Sequence, residues 1–110
     1  MKQAKIYMRN RPAGVLTEDE SGYFFSYDKA YLRTKDAEAV SLTLPLQEEA
    51  YHSNVLFPFF DGLIPEGWLL EVAGRSWKID RRDRMSLLLA CCKDCIGAVS
   101  VIPILESEVL

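Results

Sequence analysis

Apolar residues recur at every second position in the first half of the chain and at every third or fourth in the second. No other feature constrains the fold as tightly. Lys5-Ile6-Tyr7-Met8-Arg9 alternates, and the turn formers Asn10-Arg11-Pro12-Ala13-Gly14 follow it. Val15-Leu16-Thr17 reads as a second strand, closed by a turn over Glu18-Asp19-Glu20-Ser21-Gly22. Tyr23-Phe24-Phe25-Ser26-Tyr27 is a third, with Tyr23, Phe25 and Tyr27 on one face. Asp28 can cap a short helical turn reaching Leu32, and Thr34 to Ala39 is polar connection. Ser41-Leu42-Thr43-Leu44-Pro45-Leu46 alternates most cleanly, three leucines against Ser, Thr and Pro. It predicts a strand at an edge or ending at Pro45, which has no N–H to donate.

Gln47 to Asn54 is again polar connection, and Val55-Leu56-Phe57-Pro58-Phe59-Phe60 is a dense apolar cluster expected in the core. After Asp61-Gly62-Leu63-Ile64, Pro65 suits the first helical position and Glu66 the first turn, where the helix dipole favours an acid. A helix is predicted over 65–77, with Gly74 leaving its C-terminal end open to an earlier stop. A second is predicted over 81–95, with Asp80 as N-cap and Gly97 as the stop. Ala98-Val99-Ser100-Val101-Ile102 then reads as a closing strand. The pattern predicts one α+β domain spanning residues 1–110: a small antiparallel sheet of about five strands with two main helices packed on one face.

Composition narrows the chemistry. The 110 residues carry 13 Lys+Arg against 16 Asp+Glu, a formal charge of −3, so the clustered surplus of cations that grips a phosphate backbone is missing. No apolar run approaches the ~20 residues that span a bilayer. Met1-Lys2-Gln3-Ala4-Lys5 leads straight into alternation, without the apolar stretch of a signal peptide. The expected compartment is therefore the cytoplasm, where cysteines stay reduced. The six glycines never form a phosphate-binding loop, and no metal-ligand set is spaced along the chain. A binding or regulatory module is expected rather than an enzyme, with no cofactor and no phosphotransfer of its own.

The remaining chemical signals have plain readings. Cys92 and Cys95 form a C-x-x-C pair beside Cys91, but at the C-terminal end of a predicted helix, where the dipole opposes a thiolate. A zinc site would need a fourth ligand from His52 or a distant carboxylate. Buried cysteine behaves as a small hydrophobe, so packing is the expected role of all three. His52, the one histidine, reads as a solvated or hydrogen-bonded loop residue. Arg81, Arg82 and Arg84 alternate with Asp80 and Asp83 and read as a solvated helix start with local pairs.

Trp68 is more informative. At 100° per residue, Leu69, Leu70, Ala73 and Trp77 share the core side of the first predicted helix. Glu71, Arg75 and Lys78 lie opposite, and Trp68 falls among them, about 140° from the centre of the apolar cluster. Either Trp68 folds down against Val72, or it is an exposed anchor of the kind that dominates binding interfaces. On the second reading Ile64-Pro65-Glu66-Gly67 presents it on a rigid helix start, with Glu71 and Arg75 beside it.

Four segments in order resemble the N-terminal subdomain of HipA-type serine/threonine kinase toxins. They are Tyr23-Phe24-Phe25-Ser26-Tyr27-Asp28, Ser41-Leu42-Thr43-Leu44-Pro45-Leu46, Phe59-Phe60-Asp61-Gly62-Leu63-Ile64-Pro65-Glu66-Gly67 and Asp94-Cys95-Ile96-Gly97-Ala98-Val99. The resemblance covers about residues 5–105. HipA toxins continue into a much longer kinase core, whereas this chain ends at Leu110, so it looks like the free-standing HipS-like protein of tripartite HipBST toxin–antitoxin systems. That resemblance implies an antitoxin, with a HipT-like kinase as its partner and a HipB-like helix-turn-helix protein handling DNA. Neither nucleic acid nor membrane is an expected partner of this chain. The kinase active-site region is then the expected target of Ile64, Pro65, Glu66, Gly67, Trp68, Glu71 and Arg75. A non-inhibitory docking module and a small thiol- or metal-dependent protein are the competing classes. A kinase assay separates the first from an antitoxin, and metal analysis tests the second.

Overall fold

The computed structural model describes residues 2–64, 83–91 and 98–104. Five strands form one antiparallel sheet in the order β4-β3-β2-β1-β5. They are β1 (Lys2–Met8), β2 (Arg11–Asp19), β3 (Gly22–Tyr27), β4 (Tyr51–Ser53) and β5 (Val99–Ile104). Three described helices accompany them: α1 (Lys29–Leu32), α2 (Pro58–Asp61) and α3 (Arg84–Cys91). The α+β architecture and the five-stranded sheet are as the sequence predicts, but one of the five strands is a different one.

Alternation places the core. Ala4, Ile6 and Met8 of β1 point inward, and the register sets Ala4 opposite Leu16, Leu16 opposite Phe25, and Ile6 opposite Val101. Tyr27, Val99 and Val101 complete the same face. Phe60 of α2 packs edge-on against Phe25 at 5.4 Å and against Phe57 and Phe59, in the offset geometry that aromatic rings prefer. Met85, Leu87 and Leu88 of α3 close the core, with α3 packed against β5 and α2. Of the apolar cluster 55–60, Leu56, Phe57 and Phe60 are buried while Val55 is exposed.

The first hairpin turns earlier than its composition suggests. Arg9 and Asn10 both have positive φ, 51° and 68°, and Met8 pairs with Arg11. That is a two-residue primed turn, whose twist matches the strands it joins. Arg11, Pro12, Ala13 and Gly14 therefore belong to β2. Pro12 is tolerated inside the sheet because the β1–β2 register shifts beside it. Gly14 is required: a Cβ there would lie 2.3 Å from the Ser26 carbonyl oxygen.

Ser41–Leu46 is not a strand. The Leu44 N–H reaches back to the Ser41 carbonyl at 3.1 Å, and the Ser41 hydroxyl accepts the Thr43 N–H at 3.2 Å. Local hydrogen bonding by Ser and Thr wins over extension, and the result is a tight turn. Leu44 is buried while Leu42 and Leu46 are exposed, so the three leucines do not share a face. The fifth strand is β4, inside the stretch read as polar connection, where Tyr51 pairs with Phe25, His52 with Phe24 and Ser53 with Tyr23. His52 is thus a strand residue rather than a loop one.

Candidate partner-binding site

The segment expected to meet a partner begins at Ile64, and the structure describes how it is rooted. Pro58 starts α2 without needing an N–H partner, and the helix winds down through successive backbone bonds. The Gly62 N–H reaches Pro58 O at 2.9 Å, the Leu63 N–H reaches Phe60 O at 3.0 Å, and the Ile64 N–H reaches Asp61 O at 3.2 Å. Ile64 is 5% exposed and belongs to the core, so it holds the point from which the following residues leave. Pro65, Glu66, Gly67, Trp68, Glu71 and Arg75 lie outside the described residues.

Ion pairs tie the end of α2 to α3, and the start of α3 to the sheet. The Arg84 Nε donates to Asp61 Oδ1 at 2.5 Å, joining α3 to the end of α2. The Lys2 Nζ donates to Asp83 Oδ2 at 2.7 Å and lies 3.7 Å from Glu18. Asp83 also receives the Ser86 N–H at 3.1 Å and the Ser86 hydroxyl at 2.7 Å, so it serves as a cap for α3. Burial works against its charged form, but Lys2 and Ser86 outweigh it and hold the carboxyl below its ordinary value. Asp80, Arg81 and Arg82 lie outside the described residues. Among the described residues, Asp83 and Arg84 form ion pairs with residues distant in sequence, Lys2 and Asp61.

Tyr23 completes this polar corner. Burial, with a hydrogen bond to Glu18 next in weight, pushes its hydroxyl up to about 12. The Asp61 and Asp83 carboxylates of this corner are taken up by Arg84, Lys2 and Ser86. Among the described residues no three His, Cys, Asp or Glu side chains come together as a metal site. Cys91 ends α3, and Cys92 and Cys95 lie outside the described residues.

The long connection 33–50, which sequence reading divided into polar linker and strand, is a second surface of interest. Three tyrosines hold it, Tyr51 by donating its hydroxyl to Pro45 O at 2.6 Å. The Tyr31 hydroxyl donates to Glu38 O at 2.7 Å and accepts the Glu38 N–H at 3.0 Å. The Tyr27 hydroxyl accepts the Val40 N–H at 3.0 Å and donates to the Leu44 carbonyl. Arg11 pairs with Asp36 at 2.9 Å and lies over the Tyr31 ring at 5.3 Å. The sign of this arrangement in the sequence is the pair Tyr27 and Tyr31, whose hydroxyls need partners once the rings are buried.

Comparison with known proteins agrees with the geometry. The model of the HipA N-terminal domain family matches residues 4–102. An uncharacterised protein of Haemophilus influenzae is 33% identical over 101 residues, covering 92% of each chain. A putative kinase of Sinorhizobium fredii, Y4mE, is 27% identical over 99 residues, which are 89% of this chain but 24% of the kinase. A solved structure of the N-terminal domain of HipA toxin superimposes with a TM-score of 0.75 at 29% identity, covering 96% of this chain and 95% of that one. The similarity lies with an N-terminal domain and not with a kinase core. With its matched region running from β1 to β5, the chain belongs to the HipA N-terminal domain family.

Proposed function

We propose that the chain is an antitoxin of the HipS-like kind, which binds and neutralises a HipT-like serine/threonine kinase toxin. The observation that carries this reading is the family match over residues 4–102, taken with a kinase relative in which the same region is 24% of the chain. A domain that accompanies a kinase in one protein has a natural partner when the kinase is a separate chain. Trp68 is the anchor of the interaction, flanked by Glu71 and Arg75 and presented by Pro65, Glu66 and Gly67. Burying an indole in a partner's cleft removes a large apolar area from water and leaves its N–H able to find an acceptor. The buried Ile64 supports this by fixing where the segment starts, which limits the entropy lost on binding. The target is the kinase active-site region, and a HipB-like DNA-binding protein joins the larger complex. No step of chemistry belongs to this chain.

The test is co-expression with a HipT-like kinase from the same genome, followed by purification through a tag on the kinase and a phosphotransfer assay. The antitoxin reading expects a complex that survives gel filtration and has lost phosphotransfer. A stable complex that phosphorylates as the free kinase does would make the chain a docking module. Absence of any complex would end both readings.

A further inference from the structure

Asp61 and Arg84 stand 23 positions apart in sequence and are joined by the bond from Arg84 Nε to Asp61 Oδ1 at 2.5 Å. Asp61 is the last residue of α2 and Arg84 the first of α3. Trp68, Glu71 and Arg75, the candidate partner contacts, all lie between them in the chain. The pair therefore ties the end that leads into this stretch to the end that leads out of it.

For stability the link is close to redundant. The outgoing end is already held by Phe60 and Ile64, both buried. The returning end is held by Met85, Leu87 and Leu88, all fully buried, and by Asp83, which caps α3 and pairs with Lys2 of β1. The Arg84 and Asp61 side chains keep 32% and 41% of their surface in water, where an ion pair contributes little to folding. Its bond is directional, however, as apolar packing is not. It sets the last turn of α2 against the first turn of α3, and with them the directions in which the chain leaves and returns.

We infer that Arg84 is a positioning residue for partner binding. Through Asp61 it fixes the two roots between which Trp68 lies in the chain, so that less freedom is lost when the kinase takes up the indole. This rests on the antitoxin reading given above. Arg84 acts through Asp61 and Trp68 and makes no contact with the kinase itself.

The experiment measures the Kd of the HipT-like kinase for the full-length chain and for Arg84→Met, Asp61→Ala, Trp68→Ala and the double variant Arg84→Met with Trp68→Ala. Thermal unfolding of each free chain is recorded beside it. Arg84→Met keeps the aliphatic stem and is expected to raise Kd about three- to thirtyfold, within the range for groups that act through one another. Asp61→Ala should match it. Both should unfold within about 5 °C of the wild type, as the loss of a half-exposed ion pair allows. On the Trp68→Ala background, Arg84→Met should leave Kd unchanged within about twofold, because the group it positions is gone. A merely structural role, or a direct contact of Arg84 with the kinase, lowers affinity in both backgrounds, and that result would overturn the inference. Unchanged Kd in either folded single variant would do the same. If one single variant fails to fold, the other reads the pair; failure of both makes the pair part of the fold and ends the inference. A wild-type chain that does not bind the kinase sinks the antitoxin reading itself. Indifference of Kd to Trp68→Ala removes the anchor and this inference with it, whereas binding weakened by Trp68→Ala but not by Arg84→Met sinks only the positioning role.

Discussion

The Tyr27 hydroxyl, at the end of β3, donates a hydrogen bond to the carbonyl of Leu44, seventeen residues further along, and accepts the N–H of Val40 on the other side of the turn. One side chain thus satisfies two buried backbone groups of a segment that has no ladder to satisfy them. Tyr27→Phe keeps the ring in the core and removes only the oxygen. It is expected to cost about 1–3 kcal/mol, the penalty of stranding buried polar groups. Denaturant titration reads the loss, and limited proteolysis should cut first within 33–50.

Phe60 is fully buried and touches Phe25, Phe57 and Phe59. Phe60→Ala should therefore cost about 3–5 kcal/mol, through lost apolar transfer and the cavity left behind. Urea denaturation followed by circular dichroism checks this. A loss under 1 kcal/mol would place the core elsewhere.

Stability should also fall at both ends of the pH scale, through different groups. Tyr23 is raised to about 12 by burial first and by its bond to Glu18 second. A raised folded value gives stability that is complete below pH ~10, the ordinary tyrosine value, and is lost as pH climbs toward 12. Asp83 is lowered, so its contribution is present above the ordinary carboxylate range and is lost as pH falls below it. Tyr23→Phe should flatten the alkaline limb of a stability–pH curve, and Asp83→Asn the acid limb.

The cysteines are expected to be structural. Replacing Cys91, Cys92 and Cys95 together with Ser should leave kinase binding intact and lower stability by about 1–3 kcal/mol for any that are buried. Calorimetry of the variant with the kinase, beside its own thermal unfolding, separates the two effects. Lost binding in a folded variant would restore a chemical role to the thiols.

What could be read from residues alone follows from where side-chain pattern and tertiary context agree. Ile6 and Met8, Phe25 and Tyr27, Val99 and Val101 alternate because one face of the sheet is buried, and alternation reports that directly. It misleads at Leu42, Leu44 and Leu46, where Ser41 and Thr43 offer the backbone local bonds that alternation does not register. β4 escapes notice for the opposite reason. Tyr51-His52-Ser53 is a short edge strand whose His52 stacks on Phe24 at 4.6 Å and donates from Nε2 to the Ser21 carbonyl at 3.0 Å, so it has no apolar run to announce it. The links from Lys2 to Asp83 and from Arg84 to Asp61 join residues far apart in sequence, and a charge pattern on one helix cannot name such partners. Of the candidate site, the anchoring of Ile64 follows from the apolar run it closes, whereas the pinned turn at Leu42 depends on tyrosine hydroxyls whose reach only the fold defines.

Neutralisation itself is tested most directly by phosphotransfer of the HipT-like kinase titrated with this chain and, in parallel, with Trp68→Ala. The wild-type chain is expected to abolish activity at saturation. Trp68→Ala, still folded, should bind about 2–4 kcal/mol more weakly, the range of a hot-spot residue, and leave the kinase active at the same concentrations. Undiminished phosphotransfer at saturating wild-type chain would contradict the antitoxin role outright.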